Sequence, residues 1–372
     1  MKILIVTPYF YPAYVYGGPI EVSYQTGKAW VEQGHEVFVV TTNANGTVNL
    51  DVETKIPIVI DGMEVFYCKR MFSSAISLQI MHLLVSRIKN ADIVVLHFVY
   101  SFTTIPTILL CRIYKKKLIW RPHGALQNWV GKNKPRIKKF WNIICKILLP
   151  PSAHLVFASQ KEREECGTIF QRFNTAVVPN GAIVPAVLIT KTASKKIRLM
   201  FLGRINRIKG LENLITAMMM VDSKTFTLDI YGTGEKKYVE SLNVFIGKHQ
   251  LSDRVFMRGG ISHSSLLNIF ANTDCLVLPS HLESFGQVVV ESLAHGVPVI
   301  VSTGAPWKQI DLVGCGLWVK NDSKSLASAI IKMSKLDMVK MGIRGRNWIK
   351  SDFDWSLGAQ KIIALSAVEE RT

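Results

Sequence analysis

The sequence is poor in acidic residues. Its 372 residues contain 27 Asp and Glu against 45 Lys and Arg, which gives a formal net charge of +18. Asp and Glu are absent altogether between Asp92 and Glu162, while Lys115, Lys116 and Lys117 fall inside that window. Without opposing carboxylates this window carries a positive field, which favours an anionic partner such as a phosphorylated substrate, a phospholipid surface or a nucleic acid.

Metal-binding cysteine pairs and long apolar runs are also missing. The six cysteines show no C-x-x-C spacing, which argues against a zinc site, and their apolar surroundings are typical of core thiols in a reducing cytoplasm. The mean hydropathy is +0.22, but Asp92, His97 and Pro106 interrupt the most apolar region, so no membrane span is predicted. The opening MKILIVTPYFYP has too short an apolar run for a signal peptide. We therefore expect a cytoplasmic protein.

The order of apolar segments predicts an α/β protein of two domains. Strand-like runs alternate with amphipathic stretches, and residues 181–196 resemble a linker. We predict an N-terminal Rossmann-like domain over 1–185, a second over 186–350 and a final helix within 351–372. Parallel sheets bind ligands beyond the carboxyl ends of their strands, so both sheets should face a central cleft. The predicted strands are KILIVT, EVFVVTT, EVFYCK, DIVVLH, KLIWRPH, HLVFAS, IRLMFLG, TFTLDIYG, RVFMRG, CLVLPS, PVIVST and GLWV.

Two basic residues follow the first predicted strand of the second domain. In FLGRINRIKG, residues 201–210, Arg204 and Lys209 stand in a loop that opens onto a helix. A diphosphate suits a planar guanidinium that binds two oxygens, a second positive charge, and free N–H groups at a helix N-terminus. A solvated basic loop is the alternative, and the spacing alone leaves both interpretations open.

Two further candidate positions lie in the first domain. Gly17 and Gly18 come between the first strand and an amphipathic helix, where glycines allow the main chain to approach a phosphate closely. His123 follows a strand and precedes Gly124, so it should project at the cleft, where it could orient or deprotonate a hydroxyl. An ordinary loop and a structural histidine are the respective alternatives.

Two glutamates stand eight positions apart in HLESFGQVVVE, residues 281–291. Glu283 lies in a predicted loop, and Glu291 lies in the apolar segment after a Phe-Gly turn. Carboxylates would be repelled by a diphosphate, but each can accept hydrogen bonds from two hydroxyl groups, as a polyol offers. Free N–H groups at the helix that opens near Gly286 suit a sugar oxygen or a phosphate. Together with the two cations, the pattern indicates a nucleotide sugar.

These residues resemble the GT4-type retaining glycosyltransferases of the GT-B fold. The resemblance rests on an E-x7-E element from Glu283 to Glu291 and a G-R-x4-K-G element from Gly203 to Gly210. The paired glycines near the N-terminus and the GHEV after the first helix match as well, and STGAPWKQI has a form seen in transferases that build bacterial surface polysaccharides. The family pattern implies transfer from a UDP- or GDP-sugar to a saccharide acceptor, with no metal and no cofactor. It also implies that the C-terminal helix crosses back to the first domain.

The resemblance implies a role for each residue. Arg204 and Lys209 would hold the donor diphosphate and stabilise it as the leaving group. Glu291 would bind the ribose hydroxyls, and Glu283 would hold the hydroxyls of the transferred sugar. The other implied assignments are Gly17 and Gly18 at the phosphates, His123 near the acceptor, Ile261 at the base, and Ser284, Phe285 and Gly286 beside the sugar.

A basic amphipathic segment lies in the acid-free window. RIKKFWNIICKILLP, residues 136–150, carries apolar residues at helical spacing with basic residues on the remaining face. This fits either a core helix or a helix at a membrane surface. Combined with the lysines at 115–117, it predicts a protein held peripherally at the inner face of an anionic membrane. A polyprenyl-diphosphate-linked acceptor would present its sugar there.

Three other functions are compatible with parts of the sequence. A nucleotide-sugar epimerase of similar build would need acid and base groups around the sugar, and no such pair is recognisable. A nucleic-acid-binding protein is suggested by charge alone, without a zinc-finger, RRM or KH pattern, so no nucleic acid partner is expected. An inactive transferase that serves as a scaffold is disfavoured by the intact Arg204, Lys209, Glu283 and Glu291.

Overall fold

The chain folds into two compact units, each built on its own sheet. The computed structural model describes residues 1–72, 75–127, 135–167, 169–188, 191, 194–262 and 265–367. The first unit comprises Met1–Asn180 and Trp355–Thr372, and the second comprises Gly181–Asp354. Both sheets are predominantly parallel and carry helices between their strands, so the predicted fold class of two Rossmann-like domains is confirmed.

The first unit contains an eight-stranded sheet. The strands of this unit are β1 Lys2–Val6, β2 Glu36–Thr42, β3 Ala44–Asn45, β4 Val48–Asn49, β5 Ile58–Ile60, β6 Met63–Cys68, β7 Ile93–His97, β8 Lys117–Arg121, β9 His154–Phe157 and β10 Asn174–Val177. Its helices are α1 Gly18–Glu32, α2 Leu78–Asn90, α3 Thr104–Ile113, α4 Pro135–Leu148, α5 Gln160–Gly167 and, at the other end of the chain, α13 Trp355–Ala367. The sheet order is β10-β9-β8-β7-β1-β2-β6-β5, and only the edge strand β5 is antiparallel to its neighbour.

Alternating residues of the central strands fill the two cores of this unit. In β1, Ile3 and Ile5 pack with residues of α1 and α13, while Leu4 and Val6 pack with residues of α2 and α3. Because helices cover both faces, the strand is apolar at every one of these positions and reads as a continuous hydrophobic run.

The C-terminal helix α13 belongs to the first unit. The indole N–H of Trp30 in α1 donates to the carbonyl of Ala359 at 3.0 Å, and the Gln33 amide donates to the carbonyl of Ser356 at 3.0 Å. Ala359 and Ile362 are buried in the core beneath them. The last helix therefore completes a layer whose other members lie near the beginning of the sequence.

The second unit contains a six-stranded parallel sheet. Its strands are β11 Ile197–Leu202, β12 Phe226–Tyr231, β13 Val255–Gly259, β14 Cys275–Leu278, β15 Val299–Ser302 and β16 Gly316–Val319. Its helices are α6 Leu211–Met219, α7 Lys236–Lys248, α8 Leu266–Ala271, α9 Gln287–Ala294, α10 Gln309–Val313, α11 Ser323–Met333 and α12 Met338–Asp352. The strand order is β13-β12-β11-β14-β15-β16. Since all six strands run the same way, the loops after β11, β13 and β14 emerge at one edge of the sheet.

Buried apolar side chains form the core of both units. The six cysteines are all buried and unpaired, as expected for core thiols. Within the described ranges, no helix is both long enough and apolar enough to cross a bilayer.

Candidate active site

A tight turn after β11 brings Lys209 against the loop that follows β14. Residues Arg207–Lys209 form one turn of 3-10 helix, and Gly210 follows it in the left-handed conformation with φ of 64°. A Cβ atom at Gly210 would lie 2.2 Å from the carbonyl oxygen of Pro279. The close approach of the two loops therefore requires glycine at this position, which explains the lysine-glycine pair of the sequence motif.

Lys209 and Glu283 form an ion pair that is largely shielded from solvent. The Lys209 ammonium donates to Oε1 of Glu283, and the two side chains are 16% and 11% exposed. The Ser280 hydroxyl donates to the same oxygen at 2.8 Å, and the Glu283 N–H donates to the Gly304 carbonyl at 3.1 Å. The sequence interpretation assigned the two charged groups to different parts of a ligand. The structure shows that the two groups neutralise each other.

Arg204 lies in the same loop but is differently placed. Its side chain is exposed, and no ion pair or hydrogen bond of this side chain is found within the described part of the chain. The neighbouring Arg207, in contrast, lies 3.7 Å from the Glu212 carboxylate and stacks over the Tyr238 ring at 5.1 Å. Arg204 is therefore the guanidinium of this loop that has no partner among the described residues.

The start of helix α9 offers main-chain N–H groups. Gly286 precedes the helix in the left-handed conformation with φ of 85°. Phe285 is buried, and its carbonyl oxygen accepts a hydrogen bond from the indole N–H of Trp307. Residues 284–286 therefore lead directly into the first turn of a helix, where main-chain N–H groups are not used by the helix itself.

Glu291 lies in the second turn of the same helix. It is partly exposed, and its main-chain carbonyl accepts a hydrogen bond from Nδ1 of His295 at 2.7 Å. Glu283, residues 284–286 and Glu291 therefore all belong to one continuous loop and helix after β14.

Ile261 follows the outer strand of the same sheet. It is partly exposed, two residues beyond the end of β13. Arg204, Ile261 and Glu283 consequently come from loops at the carboxyl ends of β11, β13 and β14, three strands of one parallel sheet. This is the edge at which open α/β sheets bind ligands.

In the first unit, the paired glycines begin helix α1. Gly17 has φ of 83°, a conformation that favours glycine, and precedes the first helical residue, Gly18. The short 3-10 turn Tyr14–Tyr16 leads into it, and the Tyr16 ring stacks on Tyr9 with 3.5 Å between ring centroids. The glycines are thus held at a helix N-terminus beside an aromatic pair.

His123 is bound to a second histidine that the sequence interpretation missed. Nε2 of His123 lies 2.8 Å from Nδ1 of His97, and the two rings stack with centroids 5.0 Å apart. His97 is the last residue of β7, and His123 follows β8, the neighbouring strand. Each histidine ends a predicted strand. The pair would have been predicted if these two strands were known to be neighbours, but the sequence does not give the order of strands in the sheet.

Three buried polar residues support the histidine pair. The guanidinium of Arg121 donates to Oδ1 of Asn180 at 2.9 Å. The Glu162 carboxylate accepts from the N–H of Gly124 at 2.5 Å and from the N–H of Ala158 at 2.8 Å. Glu162 thereby fixes the turn that carries His123. The bonds from Arg121 to Asn180 and from Gly124 to Glu162 could not be predicted, because each joins residues far apart in sequence.

Burial sets the protonation of this group. Desolvation lowers the pKa of both histidines well below the usual range, and the positive charge of Arg121 adds to the effect. Burial also lowers the pKa of Arg121, to about 10, so the guanidinium is still charged at neutral pH. His97 and His123 are therefore neutral imidazoles beside a permanent cation.

A metal centre is not evident in the described residues. Among them, no three His, Cys, Asp or Glu side chains come close enough together to hold a metal ion. Of the acidic groups, Glu283 is paired with Lys209, and Glu162 accepts hydrogen bonds from main-chain N–H groups.

Comparison with known families covers both units. The description Glycosyltransferase Family 4 matches residues 16–183, and Glycosyl transferases group 1 matches residues 189–348. With the strand order of the two sheets, these matches show that the chain belongs to the GT4-type glycosyltransferases of the GT-B fold.

Curated relatives match over shorter segments. The chain is 29% identical over 167 residues to the capsular polysaccharide biosynthesis glycosyltransferase CapM of Staphylococcus aureus, a match that covers 41% of each chain. It is 28% identical over 174 residues to a GDP-mannose-dependent alpha-(1-6)-phosphatidylinositol monomannoside mannosyltransferase of Mycobacterium tuberculosis, covering 43% of this chain and 45% of that protein. The matches span from 26% to 45% of the relatives' own lengths, which is less than half.

Solved structures align over nearly the whole chain. Sucrose-phosphate synthase from Thermosynechococcus elongatus aligns with a TM-score of 0.78 and 18% identity over 98% of each chain. The HepE protein of Anabaena, solved in complex with UDP-glucose, aligns with a TM-score of 0.74 and 18% identity over 99% of this chain and 100% of that one. At this level of identity the likeness shows the fold.

Proposed function

We propose that the protein is a retaining glycosyltransferase that acts in the biosynthesis of a bacterial surface polysaccharide. It moves a sugar from a UDP- or GDP-sugar to a saccharide acceptor. The observation that carries this proposal is that Arg204, whose side chain is exposed and has no partner among the described residues, shares a loop with Lys209 of the Lys209–Glu283 ion pair, at the carboxyl ends of the strands of the second sheet. The named activities of the capsular and mannosyl relatives, and the UDP-glucose bound to HepE, support the choice of substrates.

The ion pair prepares Lys209 for a diphosphate. An ammonium group has three N–H donors, so Lys209 can keep its bond to Glu283 and still donate to a phosphate oxygen. Arg204 adds a planar guanidinium group that can bind two phosphate oxygens at once. We assign the hydroxyls of the transferred sugar to Glu283 and to the N–H groups of residues 284–286. Glu291 takes the ribose hydroxyls, and main-chain groups at Ile261 take the base.

Residues of the first unit complete the assignment. Gly17 and Gly18 supply close main-chain approach to the phosphates, and His123 binds a substrate hydroxyl near the acceptor. Gly17 precedes helix α1 and Gly18 begins it, and His123 follows the end of β8.

The proposed reaction is one front-face displacement. The acceptor hydroxyl oxygen forms a bond to the anomeric carbon on the side from which the diphosphate leaves. The bond between the anomeric carbon and the phosphate oxygen breaks, and the hydroxyl proton passes to that departing oxygen. The products are the glycoside and a nucleoside diphosphate, and the configuration of the sugar is retained. Arg204 and Lys209 stabilise the negative charge that grows on the diphosphate in the transition state.

We expect chelation to leave the activity unchanged, because fixed cations of the protein neutralise the diphosphate. Transfer from an α-configured donor is measured with and without EDTA, and the anomeric configuration of the product is read by NMR. Equal rates and an α-linked product are the expected results. Activity that EDTA abolishes and Mg²⁺ or Mn²⁺ restores would overturn the metal-independent mechanism, and a β-linked product would overturn retention.

We also propose that the enzyme works in the cytoplasm, docked on the inner face of an anionic membrane, where its acceptor is linked to a polyprenyl diphosphate. Helix α4 supports this. One side of α4 joins the core through Trp141, whose indole N–H donates to the Val99 carbonyl at 3.0 Å, and through the buried Cys145. The other side is exposed and carries the basic Arg136 and Lys139. It also carries four exposed apolar side chains, namely Ile137, Phe140, Ile143 and Ile147.

Two of the lysines at 115–117 are hydrogen-bonded within the protein. The ammonium group of Lys116 donates to the Ala91 carbonyl at 2.9 Å, and that of Lys117 donates to the Ser366 carbonyl. Each of these two ammonium groups is directed at a main-chain carbonyl, whereas α4 exposes cations and apolar side chains together, so the exposed side of α4 is the better candidate for the docking surface. Its apolar side chains suit the acyl boundary, and its cations suit lipid phosphates.

Liposome flotation tests the docking surface. Binding should rise with the fraction of anionic lipid and fall at high salt. Each cation near such a surface is worth about 1 kcal/mol, so the double variant Arg136→Glu/Lys139→Glu should bind at least about tenfold more weakly. Phe140→Ser should also weaken binding.

Matched control variants in the second unit distinguish docking through α4 from a general effect of net charge or exposed apolar surface on vesicle binding. Lys324→Glu/Lys332→Glu makes the same change in charge, and Val244→Ser removes an apolar side chain that is 70% exposed, against 64% for Phe140. These controls should bind like the parent protein. Equal partitioning of the parent protein to neutral and anionic vesicles, or to neither, would refute the docking proposal and leave the transferase assignment intact.

A further inference from the structure

The segment STGAPW, residues 302–307, has no part in the proposed reaction. It begins at the end of β15 and is hydrogen-bonded to the loop between β14 and α9. The Gly304 carbonyl accepts from the N–H of Glu283 at 3.1 Å, and the indole N–H of Trp307 donates to the carbonyl of Phe285. The second of these bonds meets the loop at the turn that leads into α9.

The Trp307 side chain is buried and closely packed. It is 2% exposed, and its ring contacts the rings of Phe285, Trp348 and Phe353 at centroid distances of 5.0, 6.0 and 5.5 Å. An indole N–H can only donate a hydrogen bond, and a buried donor without an acceptor costs free energy. The carbonyl of Phe285 supplies that acceptor, so the bond holds both the ring and the turn.

The same bond fixes the direction of a main-chain N–H group. The carbonyl of Phe285 and the N–H of Gly286 belong to one planar trans peptide unit, so they point in opposite directions. A glycine tolerates either orientation of this unit, and a Cβ at Gly286 would lie 3.5 Å from the indole nitrogen of Trp307. The reversed orientation would set two N–H donors against each other. Trp307 therefore selects the orientation in which the Gly286 N–H points away from the indole.

The Gly286 N–H is open to a ligand. Gly286 is partly exposed, and no hydrogen bond from its N–H is found in the described part of the chain. It directly precedes α9, whose own hydrogen bonds do not use the N–H groups at its start.

We propose that Trp307 is a positioning residue that holds the Gly286 N–H in the orientation in which it binds a hydroxyl of the transferred sugar. The inference rests on the proposed function, which assigns the sugar hydroxyls to Glu283 and residues 284–286. It adds that this contact depends on an indole outside the loop. Because the contact is made to the sugar, Trp307 contributes to the binding of a nucleotide sugar and not to that of the nucleoside diphosphate alone.

Calorimetric titration with two ligands tests this dependence. A panel of UDP- and GDP-sugars that includes UDP-glucose and GDP-mannose first identifies the nucleotide sugar that the parent protein binds most tightly. Trp307→Phe keeps an aromatic ring but removes the N–H donor. This variant should bind that nucleotide sugar about threefold to tenfold more weakly, as expected for one lost hydrogen bond, and the corresponding UDP or GDP within about twofold of the parent protein.

Trp348→Phe is the matched control variant. It removes an indole N–H from the same aromatic cluster, but this N–H donates to Oδ2 of Asp352 at 2.9 Å and not to the loop. The control should bind both ligands like the parent protein. Equal binding of the nucleotide sugar by Trp307→Phe and Trp348→Phe would overturn the proposal, and so would a parallel loss of both ligands in folded Trp307→Phe.

Amide hydrogen exchange of the parent protein, followed by NMR, makes the test independent of how well Trp307→Phe folds. The nucleotide sugar should slow exchange of the Gly286 N–H, and UDP or GDP alone should not. Unchanged exchange at Gly286 in the bound protein would overturn the proposal. A parent protein that binds no member of the panel would defeat the proposed function. Without any ligand, a changed ¹³C signal of the Phe285 carbonyl in Trp307→Phe, but not in Trp348→Phe, would still show that Trp307 holds the turn.

Discussion

Arg204→Ala is expected to lose at least about tenfold in turnover, equivalent to about 1.4 kcal/mol of barrier, while it folds as well as the parent protein. The expected loss follows from the charge that develops on the leaving diphosphate, where a fixed cation acts more strongly than in the ground state. Stability should change by less than about 0.5 kcal/mol, because the side chain is exposed and has no partner in the described structure. Turnover is measured under donor saturation, and stability by urea unfolding.

Arg207→Ala is the matched control. Arg207 lies in the same loop and carries the same charge, but its guanidinium lies next to the Glu212 carboxylate and over the Tyr238 ring. This variant should keep turnover close to that of the parent protein. If Arg204→Ala were as active as Arg207→Ala, the assignment of Arg204 to the leaving group would be wrong.

Lys209→Met is expected to lose both activity and stability. The substitution keeps the length of the side chain but leaves Glu283 largely buried without its cation. Breaking a buried ion pair costs about 3–5 kcal/mol, and the residual exposure here lowers the expected cost to about 2–4 kcal/mol. Turnover should fall at least as far as in Arg204→Ala. Both variants should lose activity, but only Lys209→Met should lower the free energy of unfolding substantially, and this distinguishes the roles of the two cations.

A double-mutant cycle with Glu283→Gln isolates the ion pair. The amide cannot leave an unpaired charge behind, so Lys209→Met/Glu283→Gln should recover part of the stability that Lys209→Met loses. The expected coupling between the two sites lies between about 0.5 and 3 kcal/mol. Additive losses of stability would show that the pair contributes little to the fold. Recovery of turnover in the double variant would contradict the assignment of Lys209 to the diphosphate.

Much of the fold could be predicted because local patterns decide it. Segments such as KILIVT and DIVVLH are short, apolar and bounded by turn signals, and the structure places buried strands at both. The two-residue strands β3 and β4 were not predicted, and neither were β5 and β10. β5 is a three-residue antiparallel edge strand, and β10 is partly exposed at the opposite edge, so neither carries the apolar run that marks a central strand.

The candidate site could be predicted in its members but not in its connections. Arg204, Lys209 and Glu283 follow strand ends, and that position in the sequence is visible without a structure. The Lys209–Glu283 ion pair is not visible in this way, because it depends on the order of β11 and β14 in the sheet and on the close approach at Gly210. His97 was missed for the same reason, since its role depends on the strand beside it.

The sequence also could not predict which apolar residues of α4 are exposed. Helical spacing predicted an apolar stripe on α4, but Trp141 and Phe140 are both large, apolar residues in it, and only the structure shows that one faces the core and the other faces solvent. Composition gives the amount of apolar surface on a helix. The neighbouring elements decide how much of that surface is left exposed.

Thermal unfolding with a panel of nucleotide sugars tests the central claim most directly. A UDP- or GDP-sugar at a hundredfold excess over its dissociation constant should stabilise the parent protein by about 2.7 kcal/mol and raise its unfolding midpoint. The same concentration should raise the midpoint of Arg204→Ala much less and that of Arg207→Ala equally. If no nucleotide sugar raises the midpoint of the parent protein while single-stranded oligonucleotides do so at near-physiological salt, the protein does not bind the proposed donor.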